Sequence, residues 1–194
     1  MRPDELIRQF DLVFPKPTTP LSIVYPQHSF QRKDMLPLSP ERLWKIESGV
    51  VRTVTWDEEG TQATLGFWGE GDVVGRPLSR MEPYQIRCLT AVKVSELPLV
   101  SRYLQTALLF NAWKSEELLG ILHHQSVRHR LWHFLKWLAL RFGRSLPQGR
   151  LTEPRLTHQD IAETIGTSRV TVTRLLKILE REGKIRRSGQ TFLI

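Results

Sequence analysis

A chain of 194 residues can form one large or two small domains whose core needs neither disulfide nor metal. Its one cysteine, Cys88, excludes an intramolecular disulfide framework and any cysteine-ligated iron–sulfur cluster within one chain, and no apolar run reaches the about 18 residues of a membrane span. The net charge of +8 is unevenly held: residues 126–194 carry 14 Lys/Arg against 5 Asp/Glu, while residues 1–125 carry 14 against 15, so the C-terminal third is the part suited to meet a polyanion, most commonly nucleic acid.

The opening "MRPDELIRQFDLVFPKP" mixes acids with bases and does not read as a signal peptide, so a cytoplasmic location is expected, and "FPKPTTP" favours an extended lead-in. From 21 to about 98, short alternating runs ("RLWKIESG", "VVRTVTWDEEG", "TQATLGFWGEG", "QIRCLTAVKVSEL") are punctuated by glycine turns. They predict antiparallel β-structure in a small barrel or jelly roll. Cys88 falls inside one of these runs and reads as a small buried hydrophobe, with a redox-sensing thiol as the alternative.

After Pro98, "VSRYLQTALLFNAWKSEELLGILHHQ" contains no proline and one glycine, with Leu104, Leu108, Ala112, Leu119 and Leu122 at helical spacing. One long helix is predicted, apolar on more than one side, which pairs with its own copy; the alternative is that the barrel alone covers its apolar face. "SVRHRLWHFLKWLALRFG" predicts a second helix with Leu131, Phe134, Leu135, Leu138 and Phe142 on one face, ended by Gly143 and followed by a loop, "RSLPQGRLTEPR". His129 and His133 lie at i, i+4 near His123 and His124, but without a third ligand they read as ordinary interfacial histidines and no metal is expected.

"LTHQDIAETIG" starts a helix at Thr157, whose side chain can cap it, with Asp160 at the acid position of a capping box. Ile161 and Ile165 form its buried edge, Ala162 allows close approach, and Gly166 permits a sharp turn into a further helix over 168–182. There Val172, Leu175, Leu176 and Leu179 define a buried stripe. At about 100° per residue, Val170, Thr173, Arg174 and Lys177 point away from it, with Arg169 beside them in the first turn. A guanidinium on such a rigidly held helix end can donate two hydrogen bonds to guanine in the major groove. An amphipathic helix with a merely solvated basic face would explain the stripe but not the whole package. The closing "KIRRSGQTFLI" turns at Ser188-Gly189 as a two-stranded wing would, putting Lys184, Arg186 and Arg187 where phosphates could be met; His158, beside the cap, is a further phosphate candidate.

Taken together, "GEGDVVG", the long central helix and "LTHQDIAETIGTSRVTVTRLLKILEREGKI" resemble the Crp/Fnr superfamily of bacterial transcription regulators, most of all the cyanobacterial nitrogen-control branch. The resemblance implies an α+β chain: an N-terminal antiparallel β-barrel or jelly roll of cyclic-nucleotide-binding type (1–98), a dimerisation helix (99–125) and a C-terminal winged helix-turn-helix (126–194). It implies a homodimer bound to double-stranded DNA, with RNA polymerase as a partner, and no catalysis. Arg169, Val170 and Arg174 match the family's base-reading positions. Val170 stands where many members carry glutamate, which implies a half-site resembling GTA with inverted TAC. Gln159, Ser168, Thr171 and Gly189 match phosphate-contacting positions, to which the residue pattern adds His158, Thr173, Lys177, Arg186 and Arg187.

In the cyclic-nucleotide members a glutamate after the last glycine of "GD--G" binds ribose and an Arg-Ser pair holds the phosphate. Here Arg76 follows Gly75, and Glu82 and Pro83 fall where that pair would be, so cyclic AMP is not expected. The 2-oxoglutarate-responsive branch uses arginines at positions that align with Glu82 and Asn111, so that ligand is not expected either. Arg76, Arg80 and Arg87 are candidates to surround some other anion, and pairing with nearby acids is the alternative; a barrel that binds nothing and serves as scaffold is equally open. No paired carboxylates, nucleophile with adjacent base or phosphate-cradling glycine loop stands out, so an enzyme is not expected. The competing reading is a small-molecule or protein-binding sensor with only nonspecific DNA affinity.

Overall fold

The computed structural model describes residues 25–99 and 103–194; the expected extended lead-in lies outside them. The alternating runs fold into seven strands: β1 (Gln27–Phe30), β2 (Arg42–Ser48), β3 (Val51–Trp56), β4 (Gln62–Trp68), β5 (Val73–Val74), β6 (Gln85–Cys88) and β7 (Val92–Pro98). They form two antiparallel sheets, ordered β1-β7-β2-β5 and β4-β3-β6. Inward-facing Trp44, Ile46, Val51, Trp68, Ile86, Val92 and Val94 fill the space between them. Cys88 joins this core, and burial together with the nearby Asp34 carboxylate pushes its thiol up to about 12, so it stays protonated as a small hydrophobe.

The expected barrel is not closed. The edge strand β5 is two residues long and pairs only at Trp44↔Val74 and Lys45↔Val73, so among the described residues no strand joins both sheets. The architecture is an open, jelly-roll-like sandwich.

Helix α1 (Tyr103–Leu122) lies against this sandwich, with Asn111 Nδ2 donating to the Val73 carbonyl at 3.0 Å and Lys114 paired with Asp72. Ala107 and Leu118 are buried, whereas Leu108, Leu109 and Leu119 are 49%, 40% and 62% exposed, so the sandwich covers only part of the apolar surface. Helix α2 (Val127–Phe142) buries Leu131, Phe134, Leu135, Leu138 and Ala139, and Phe142 is half-buried. It stops at Gly143, where a Cβ would lie 2.3 Å from the Ala139 carbonyl oxygen.

The segment expected to be a loop after Gly143 is instead a hairpin, β8 (Gly143–Leu146) and β9 (Gly149–Thr152), joined by two residues. Its strands are too short for alternation to show. Their stability comes from a distant partner: the wing strands β10 (Arg186–Ser188) and β11 (Thr191–Leu193) add to β9, giving a four-stranded sheet in the order β10-β11-β9-β8. Between hairpin and wing lie α3 (His158–Ile165) and α4 (Arg169–Arg181). Their apolar faces pack with α2 and with Val50, Phe67 and Leu89 of the β-sandwich in one core. The Phe67 ring sits 5.5 Å from that of Phe134 and 5.9 Å from that of Trp137, so sandwich and head are joined by aromatic packing.

Candidate nucleic-acid interface

Two capped helix starts set the geometry of the head. At α3, Thr157 Oγ1 accepts from the Asp160 amide at 3.0 Å while the Thr157 amide donates to Asp160 Oδ2 at 2.8 Å, completing the capping box. Gly166 ends the helix in the left-handed region, φ 65°, which an L side chain rarely adopts. At α4, Ser168 Oγ accepts from the Thr171 amide at 3.2 Å and shares a 2.9 Å hydrogen bond with the Thr171 hydroxyl. Val172, Leu175, Leu176 and Leu179 anchor α4 from behind.

The opposite face is open. Val170 is 78% exposed, and Arg169, Arg174 and Lys177 are exposed with no ion pair among the described residues. Neighbouring cations differ: Arg187 Nε pairs with Glu180 at 3.0 Å and Lys184 with Glu182 at 3.1 Å, while Arg186 stays exposed on β10. Of the expected phosphate-facing wing residues, Arg187 is thus already engaged within the head.

Thr157, His158, Gln159, Arg169, Gly189 and Gln190 line one groove of 410 Å³ where the start of α3, the start of α4 and the wing tip meet. His158 does more than face this groove: its Nδ1 shares a 2.8 Å hydrogen bond with Thr173 Oγ1, which in turn donates to the Arg169 carbonyl at 2.9 Å. Burial, then the positive charges of Arg187 and Arg169, hold the imidazole below its ordinary value, so it is neutral near pH 7. His158 and Thr173 therefore brace α3 against α4.

The three arginines expected around an effector do not converge. Arg76 donates to the carbonyls of Ser79 at 3.0 Å and Met81 at 2.8 Å and pairs with Glu82 at 3.2 Å, tying down its own loop. Arg80 borders a cavity of 410 Å³ between the sandwich and α1, lined also by Thr53, Trp68, Tyr84, Asn111 and Ser115. Arg87 faces a separate hollow with Arg32, Lys33 and Arg155. The rings of His124 and His133 stack at 4.4 Å, and among the described residues no group of three or more His, Cys, Asp or Glu is arranged to hold a metal ion. No described helix is long and apolar enough to cross a membrane.

One residue escaped the sequence reading. Arg52, in the middle of "VVRTVTW", is fully buried on β3 and reaches Asp160 Oδ1 at 3.0 Å and Glu163 Oε2 at 3.2 Å, both on α3. Its signal was there: a lone cation in an otherwise apolar and hydroxyl strand.

An open β-sandwich, a long helix and a capped helix-turn-helix with a sheet wing define a two-part regulator. Comparison with known proteins agrees. The Crp-like helix-turn-helix domain family matches residues 129–194. The regulatory protein CysR of Synechococcus elongatus is 38% identical over 181 residues, covering 92% of this chain and 88% of that protein, and the global nitrogen regulator of the same organism is 31% identical over 165 residues, covering 75% and 72%. A CRP-family transcriptional regulator from Thermus thermophilus superposes with a TM-score of 0.73 at 23% identity, covering 86% of this chain and 91% of that one. A cyclic nucleotide-binding domain containing protein from Listeria monocytogenes gives 0.74 at 13% identity, covering 97% and 96%. The chain belongs to the Crp/Fnr family of transcription regulators.

Proposed function

We propose that the chain acts as a homodimer that reads an inverted repeat in double-stranded DNA with Arg169, Val170 and Arg174. The observation that carries this is the availability of those three side chains: exposed, without acidic partners among the described residues, on a helix capped at its start and anchored along its back. Gln159, Ser168, Thr171, Lys177, Arg186 and Gly189 meet the flanking phosphates, which supply affinity and salt dependence, while the base readers supply discrimination. The half-site is GTA with inverted TAC, and the regulator works in the cytoplasm by binding rather than by catalysis, recruiting or blocking RNA polymerase. Replacing the guanine of GTA costs the wild-type chain about 1–3 kcal/mol, and either Arg169→Ala or Arg174→Ala becomes indifferent to that replacement. If both variants still discriminate as wild type does, base reading by these arginines is wrong.

Dimerisation runs through the exposed leucines of α1. Leu109 and Leu119 stay exposed on this helix, which the sandwich covers only in part. Leu119→Glu gives a monomer by analytical ultracentrifugation and abolishes preference for two half-sites over one; a dimer that survives the substitution contradicts this interface.

A further inference from the structure

The β-sandwich and the head are joined at their centre by a charged contact that ordinary packing does not require. Arg52 on β3 is 0% exposed, and its guanidinium is spent on α3: Nη2 on Asp160 Oδ1 and Glu163 Oε2, Nη1 on the Asp160 carbonyl at 3.3 Å. Its Nε has no hydrogen-bond partner among the described residues. Apolar residues of similar volume commonly replace a buried ion pair without loss of stability, and an unmade buried hydrogen bond is a further cost. Something other than stability is therefore served by a guanidinium here.

Its two acceptors are not arbitrary carboxylates. Asp160 is the acid of the capping box, holding the Thr157 amide through its other oxygen, Oδ2. Glu163 uses its other oxygen, Oε1, to accept from Gln159 Nε2 at 3.1 Å. One guanidinium thus fixes both the start of α3 and the side chain of Gln159, which line the groove between α3, α4 and the wing. A second inter-lobe contact, Thr64 Oγ1 to Thr164 Oγ1 at 2.9 Å, sits one turn further along α3 and keeps the register.

We infer that Arg52 is a positioning residue for DNA binding, through which the β-sandwich sets the placement of α3 and Gln159 on the phosphate backbone. This rests on the DNA-reading proposal above. It makes the sandwich a physical part of the reading head, and any event that shifts β3 then changes DNA affinity through Arg52.

The test uses the full chain and the double variant Arg52→Met with Glu163→Gln. The substitution pair removes one positive and one negative charge, so net charge is unchanged; the methionine fills the space of the Arg52 stem, the introduced amide keeps an acceptor for Gln159, and Asp160 keeps its capping box. Two quantities are measured: the melting temperature, and affinity for a duplex carrying inverted GTA and TAC half-sites beside a scrambled duplex. Melting near that of the wild type with affinity about 2- to 30-fold weaker for both duplexes, and their ratio unchanged, is expected, because the phosphates that Gln159 meets are the same in every sequence. Glu163→Gln alone, a smaller disturbance of the fold, moves cognate affinity in the same direction by less. Cognate affinity equal to wild type in both variants overturns the positioning role while leaving base reading intact. A wild-type chain that binds the two duplexes equally overturns base reading, and this inference with it.

Discussion

The head and the β-sandwich both carry arginines that the sequence offers as candidates to meet a polar or anionic partner, yet the two sets are in different states. In the head, Arg169 and Arg174 stand exposed, with no ion pair among the described residues. In the sandwich, Arg76 is held by two carbonyls and by Glu82, and Arg87 lies outside the cavity that Arg80 borders. A cation marks a binding surface by being unspent, and the acid six residues away decides that for Arg76. The cations proposed to read DNA are therefore left available by the head, whereas among the described residues Arg76, Arg80 and Arg87 do not gather around one cavity of the sandwich.

Separating the two regions is the most severe perturbation of the chain. Phe67 belongs to the sandwich but packs on Phe134 and Trp137 of α2. Phe67→Ala costs about 3–5 kcal/mol of stability, and calorimetry shows one shifted transition, because the regions share one core. Two resolved transitions in the variant would show independent cores instead.

A sharper and smaller test substitutes one arginine in each region. Arg174→Ala removes about 1–3 kcal/mol of discrimination between cognate and scrambled duplexes, whereas Arg76→Ala leaves that ratio unchanged because its charge is already spent on its own loop. Fluorescence anisotropy competition gives both ratios, and equal losses would erase the distinction between the regions.

The smallest effect is in pH. The pKa of His158 is lower folded than unfolded, so between the two values the unfolded chain holds the extra proton; stability is therefore full above the ordinary histidine value near 6.5 and falls as pH drops toward the lowered one. His158→Gln flattens that part of the stability profile measured by denaturant titration, and an unchanged slope would mean that His158 does not contribute to it.

The head was legible because its signals are local. The Thr157 and Asp160 box, Gly166 and the Val172, Leu175, Leu176, Leu179 stripe each lie within one or two turns, and all are present as expected. What escaped was set by distant parts of the chain. The β8–β9 hairpin owes its place to β11 more than 40 residues later, with Leu151 facing Leu193. Closure of the barrel depended on whether short β5 could bridge two sheets, which alternation within a strand does not encode. The fate of Arg76 turned on the fold of its loop, and that of Arg52 on two carboxylates more than a hundred residues away.

The head is proposed to recognise sequence as the chain stands, and binding without added ligand is the direct test. Near 0.15 M salt, a duplex with inverted GTA and TAC half-sites centred about one helical turn apart is compared with a scrambled duplex of the same length. Binding at least about a thousandfold tighter to the inverted repeat is the predicted result. Equal, weak binding to both duplexes would contradict it.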